Sequence, residues 1–271
     1  SAAEGSADLI SVSLQKDFGN GLDISVGYAY TDAEDVMPMT SFTAGSSFEN
    51  MATSDINFPA PAVSNYVVPH RFTFRVSYAR EFFGDLTTRF TAYGYLNEGQ
   101  PQSYTMDFGL EGAGPRSGRF LLYVPTGPSD PNVIFDPGFD QDAFFAFVQR
   151  AGLPPGIQAR NAQHAPWSNR LDVRIDQEIP TFFEGTRGRL FIKVYNFGNF
   201  LSREWGNIVD AQFFSREIVT GDMESVPAGE DPLTYPRRYI FEDFRARDIA
   251  ELRENRSLWE ARLGIDIYFG E

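Results

Sequence analysis

Cysteine is absent from the 271 residues, and histidine is limited to His70 and His164. The first absence excludes a disulfide-stapled module and a thiolate metal site; the second leaves little imidazole for a metal centre. Basic residues are outnumbered, 23 Lys and Arg against 37 Asp and Glu, for a net charge of −14. Such a field repels polyanions, so no nucleic acid is expected as a partner. No run approaches the roughly 18 to 20 apolar residues that a membrane-spanning helix needs. The first residues, Ser-Ala-Ala-Glu-Gly-Ser, lack the charged start and apolar core of an export signal, so any such signal is expected outside this sequence. Catalytic motifs are missing too: there is no HExxH, no GxSxG and no phosphate loop, and Gly109, Gly112 and Gly114 have the wrong spacing for a dinucleotide fingerprint. Neither an enzyme nor a cofactor is expected.

What the chain has in excess is aromatic rings, 26 Phe and 12 Tyr, at a mean hydropathy of only −0.30. Both hold at once when apolar residues occupy alternate positions of strands, because a transmembrane strand of about 9 to 11 residues is polar on its second face. Residues 258–269 show the pattern best. Trp259, Ala261, Leu263, Ile265, Ile267 and Phe269 share one parity, while Glu260, Arg262, Gly264 and Asp266 share the other. The same alternation marks 22–30, 72–78, 170–176 and 189–195, with shorter signals around Val12 and Phe90. Weaker candidate strands lie at 207–219 and 237–244, for about nine crossings in all.

Connections are sorted by length. Asn20-Gly21 and Gly84-Asp85 suit tight hairpins, whereas 32–69 and 97–168 are long and rich in Pro, Gly, Ser, Asn and Asp. Short turns at one end and long loops at the other describe an outer-membrane barrel. With the hairpins at the periplasmic end, Phe18 and Phe82 fall at the inner interface and Tyr30 and Trp259 at the outer one. Phe269, closing the last strand, joins them in an aromatic girdle. The fold expected is all-β: an antiparallel transmembrane β-barrel segment spanning 1–271, with long extracellular loops. An odd strand count at roughly thirty residues per strand points to the C-terminal part of a wider barrel, its N-terminal strands and plug lying outside this chain.

Several stretches form a set. They are Ser64-Asn65-Tyr66 with the following Val-Val-Pro-His-Arg-Phe, Leu122-Tyr123-Val124-Pro125 with Asp130-Pro131-Asn132-Val133, and Arg160-Asn161 with Ala165 through Asp172. Residues 191–201 with Arg203-Glu204-Trp205-Gly206, and Ser257-Leu258-Trp259 through Tyr268-Phe269, complete the set. Each motif is weak alone, but in its order and spacing across nearly the whole chain the set resembles the C-terminal half of Oar-like TonB-dependent receptors. The resemblance implies a barrel of about 22 strands with a plug in its lumen and energy delivered through TonB. It also implies a bacterial outer-membrane location. One departure is the ending Phe269-Gly270-Glu271, where the family usually ends on the aromatic itself.

Function is then expected from wall and loops. Arg170, Asp172, Arg174, Asp176, Lys193, Glu260 and Arg262 alternate with apolar residues and are candidates to line the lumen, bracing the wall or meeting plug or cargo. The loop 109–168 is expected to hold a strand at 119–124 and a helix near 141–151, capped by Asp140, with Phe144, Phe147 and Val148 on one face. Tyr104, Phe144, Phe147, Trp167 and Trp205 are candidates for contact with an extracellular substrate, internal packing being the competing role for the helix residues. Asp136, Asp140 and Asp142 form a weak Ca²⁺ candidate without EF-hand spacing. The expected function is a share in substrate binding and import, with the lipid bilayer, the remaining strands and plug, and the TonB complex as partners. The alternatives are an outer-membrane adhesin or assembly scaffold that works through its loops, and a soluble β-sandwich.

Overall fold

The computed structural model describes residues 5–55, 58–108, 118–181, 186–210, 215–231, 234–248 and 251–269. Ten strands carry the architecture: β1 (Ser6–Asp17), β2 (Leu22–Asp35), β3 (His70–Phe83), β4 (Leu86–Asn97), β5 (Pro101–Asp107), β6 (Ser168–Ile179), β7 (Thr186–Tyr195), β8 (Ser215–Met223), β9 (Tyr239–Phe244) and β10 (Glu260–Phe269). Seven of them form one antiparallel sheet in the order β1-β2-β3-β4-β6-β7-β10. Every neighbour in this sheet is also the next long sheet strand along the chain, so it is an up-and-down meander.

Strand parity follows the sequence pattern, and register aligns it across the sheet. One apolar row reads Leu14, Val26, Phe74, Gly94 and Leu171; another reads Tyr78, Phe90, Ile175, Ile192 and Leu263. The opposite face carries Ser77, Thr91, Arg174, Lys193 and Arg262 in one row. The strand ends joined by the three short links, Asp17 with Leu22, Phe83 with Leu86 and Ile179 with Thr186, lie at one end of the sheet. Those joined by the three long ones, Asp35 with His70, Asn97 with Ser168 and Tyr195 with Glu260, lie at the other. In the first hairpin Asp17 Oδ1 accepts from the Gly19 N–H at 2.8 Å, and Gly21, at φ 88°, has no alternative residue: a Cβ there would meet the Ala79 carbonyl oxygen at 2.0 Å.

Two expectations change here. The wall has seven long strands among the described residues, with the two-residue strand Ala62–Val63 added at the end of β2, and not nine crossings, because 215–223 and 239–244 belong elsewhere. The strand expected to end near Tyr30 continues to Asp35, placing Asp32, Glu34 and Asp35 on β2 instead of in a loop.

The described parts of the three long connections fold into a second body, termed the cap. Its sheet runs Gln163–His164, β5, β8, β9, Val133–Phe135, with β8 parallel to β5. The expected strand at 119–124 is present as two short pieces, Phe120–Leu121 and Tyr123–Val124. The expected helix spans Gln141–Ala151, with Asp140 Oδ1 accepting from the Ala143 N–H at 2.9 Å and Gly152 closing it at φ 64°.

The hydrophobic core of the protein is in the cap. Phe108, Leu122, Val124, Phe144, Phe147, Ile218, Val219 and Phe241 are buried there. Among the described residues, those buried in the seven wall strands are Ser77, Thr88, Gly94, Asp176 and Gly188. Their apolar side chains stay open, Leu263 at 77% and Val12 at 64%. The distribution is the reverse of a soluble sandwich, whose core lies between its largest sheets.

Candidate functional site

The polar face of the wall gathers charged and aromatic side chains from three strands, β6, β7 and β10. Arg170 Nε donates to Asp172 Oδ1 at 2.8 Å, Arg174 to Asp176 at 2.6 Å and Arg262 to Glu260 at 2.6 Å. These are i, i±2 pairs, neighbours on one face because a strand repeats every second residue. Arg174, Lys193 and Arg262 stand directly opposite one another on β6, β7 and β10. Three like charges in a row repel, and carboxylates offset the outer two. Asp266 lies 3.5 Å from Arg174 and 3.3 Å from Arg189, and buried Asp176 lies 3.5 Å from Arg189, which makes a four-member network across the three strands. Lys193 has no carboxylate within 4 Å among the described residues; its ammonium sits 4.0 Å from the centre of the Tyr195 ring. Arg170 and Arg262 approach the same ring at 5.5 and 4.9 Å.

All seven wall candidates therefore share one face, and register adds Arg189, Tyr195 and Asp266. Their parity was readable from the sequence; their meeting was not, since it depends on which strands pair. Above them a cleft of about 200 Å³ opens between wall and cap, bordered by Tyr95, Glu98, Gln100, Ser168 and Arg256. Both histidines flank Glu98, His164 Nδ1 at 3.4 Å and His70 Nε2 at 3.9 Å, and His70 Nδ1 lies 2.8 Å from the Tyr28 hydroxyl.

The loop candidates divide. Tyr104, Phe144 and Phe147 are not surface groups: they are 6, 0 and 4% exposed, and Tyr104 packs edge-on against Phe147 with centroids 5.3 Å apart. The reason is that the connections supply enough apolar surface to fold around themselves. Trp167 is half-exposed, but it stacks on His70 and Phe72 at 6.3 and 6.4 Å and so belongs to the apolar wall face. Trp205 is exposed. At the loop end of the apolar face, Tyr30 meets His70 at 5.3 Å and Trp259 meets Phe200 at 5.0 Å; Phe18, Phe82 and Phe269 lie exposed at the turn end.

Side-chain tethers hold the cap to the wall, and they are built from the motif residues. Arg160 donates to Asp35 Oδ1 at 2.9 Å and to the carbonyls of Asp35, Val36 and Ala62. Asn196, in the left-handed region at φ 51°, donates from its backbone to Asp172 and from its amide to the carbonyls of Gly206 and Ser257, at 2.9, 2.9 and 2.6 Å. Asp130 accepts from Thr126 and Asn132 N–H groups, both at 2.8 Å, and from the Tyr123 and Thr126 hydroxyls; these bonds hold its carboxyl down at about 2. Of the Ca²⁺ candidates, Asp136 accepts from the Gly138 N–H and Asp140 caps its helix; no three ligating side chains converge on a metal-sized site among the described residues.

Comparison with protein-family models, curated proteins and solved structures gives no match to this chain.

Proposed function

We propose that this chain forms part of the wall and the extracellular cap of a TonB-dependent outer-membrane transporter, which binds a substrate outside and admits it past a plug. One observation carries the reading: among the described residues the wall sorts apolar and charged side chains onto opposite faces yet contributes no large apolar side chain to the core, whose members lie in the loops. A sheet with its greasy face uncovered suits a lipid bilayer, and its polar face suits a water-filled or plugged lumen. The remaining strands and the plug would come from the rest of the same receptor, and the TonB complex would act through that part. In this reading wall and cap work without covalent chemistry. The cap receives substrate at the cleft beside Tyr95 and Glu98, and the polar row below offers exchangeable ionic contacts along the wall.

The test is fractionation followed by energy coupling. The chain should sediment with outer membranes, resist alkaline carbonate and run faster on gels before boiling than after. A chain that stays monodisperse in plain buffer would sink the proposal. An intact polypeptide of roughly three times this length would supply the other strands and the plug.

A second reading, an adhesin or scaffold, draws on apolar side chains left open on the cap, Phe42 at 100%, Phe58 at 80% and Met39 at 75%. The two separate on uptake. A transporter loses its cargo accumulation when the TonB complex is deleted, whereas an adhesin keeps its binding.

A further inference from the structure

We infer that the turn end of the apolar wall face is a docking surface for anionic phospholipid headgroups, made by Lys16 and Arg80. The inference rests on the membrane reading above and adds which leaflet chemistry this end takes. Charge on this face is sorted along its length. Toward the loop end, the charged residues of apolar parity beyond Tyr30 and Ile10 on β1 and β2 are acidic: Asp8 stands directly opposite Asp32, and Glu34 follows. Toward the turn end the two charged residues of that parity are Lys16, paired with Ile24, and Arg80, paired with Thr88.

Neither cation has a carboxylate within 4 Å among the described residues, and both are exposed. Each lies beside a ring of the lower girdle instead, Lys16 at 5.9 Å from Phe18 and Arg80 at 5.9 Å from Phe82. Phe82 in turn packs edge-on against Phe90 at 6.4 Å, which keeps that ring on the apolar face. A long cationic side chain rising from an apolar face beside an interfacial aromatic has its stem in hydrocarbon and its head at phosphate depth. The opposite leaflet meets the same face through acids, so the complement at the turn end is a negatively charged headgroup, phosphatidylglycerol in the simplest case.

The full chain, inserted into phosphatidylcholine vesicles containing a minor share of phosphatidylglycerol, is extracted in mild detergent, and the lipid retained is counted by mass spectrometry. Wild type should hold phosphatidylglycerol about fivefold above its bulk share. Lys16→Gln with Arg80→Gln should bring retention down to the bulk share, and raising the salt should shrink the wild-type enrichment. Arg187→Gln is the control, because Arg187 lies at the same end but, opposite Tyr268, on the polar parity; it should leave the enrichment unchanged. No enrichment in wild type, or an equal loss with Arg187→Gln, overturns the inference while leaving the membrane reading standing. A chain that fails to float with the vesicles overturns both.

Discussion

Asn161 and Asn65 face each other across two different connections, the Asn161 amide nitrogen donating to Asn65 Oδ1 at 2.6 Å inside the cap. The same amide reaches the Val63 carbonyl at 2.6 Å. Ser103 Oγ accepts from the Asn161 N–H at 2.8 Å and donates back to Asn161 Oδ1 at 3.1 Å. Asn161 thus ties the link between β2 and β3 to the link between β4 and β6. Its φ of 60° is one that asparagine tolerates better than most residues.

Asn161→Gly keeps that backbone freedom and removes the side chain, so it isolates the tether. The loss should be about 2 to 3 kcal/mol, because the Ser103 hydroxyl proton, Asn65 Oδ1 and the Val63 carbonyl lose the Asn161 side chain while the bond from the backbone N–H of residue 161 to Ser103 Oγ remains. Limited proteolysis should cut within 36–69 far sooner in the variant. An unchanged cutting pattern would show that the tether does not hold the cap.

Asp130 sets an acid limit on the cap. Its carboxyl falls from the ordinary 3.8 to about 2 in the folded chain, so its bonds stabilise fully above about pH 4 and are lost as the pH falls through about 2. Urea midpoints of wild type and Asp130→Asn, measured along an acid series, should converge over that interval. A constant gap down to pH 2 would contradict the assignment.

Core and surface roles in the cap separate on stability. Phe144, fully buried among Phe139, Phe241 and Phe244 with centroids 5.4 to 5.8 Å away, should cost about 3 to 5 kcal/mol when cut to alanine. Trp205→Ala, at an exposed position, should stay within about 0.5 kcal/mol. A large loss at Trp205 would mean that it packs.

The absence of cysteine makes the wall easy to map. Single cysteines at Leu171, Val173 and Ile175 should resist a water-soluble maleimide in membranes, and those at Arg170, Lys193 and Arg262 should react. Val173→Arg, on the apolar face, should hinder insertion by about 2 to 4 kcal/mol. Labelling without a two-residue period would refute the sidedness of the sheet.

Much of the wall was legible in the sequence. Alternation at 170–176, 189–195 and 258–269 placed strand and face, because side-chain direction in a strand is local geometry; the ionic pairs formed on that face were not named by it. The cap was not legible. Residues 207–219 and 237–244 read as further wall crossings, yet β8 at Ser215–Met223 lies parallel to β5, over a hundred residues earlier in the chain. The helix at 141–151 was clear from its cap and apolar stripe, while the burial of its Phe residues depended on the pairing of β9 with Val133–Phe135, and no local pattern announces that pairing. Asn65, Asn161 and Gly206 stand in the stretches that carry the family resemblance, and Asn196 lies inside 191–201. Their use as tethers shows only in the fold: at Gly206 a Cβ would lie 1.9 Å from Asn196 Oδ1.

By itself the sequence determined the two-faced strands, the turns that join them and the sorting of short and long connections. Each of these follows from backbone chirality and side-chain alternation within a few residues. Only the tertiary structure decided where the core would be, which candidate strands left the wall, and which charges would stand side by side. Those outcomes depend on pairing between segments far apart in the chain, where burial of apolar surface outweighs any local preference.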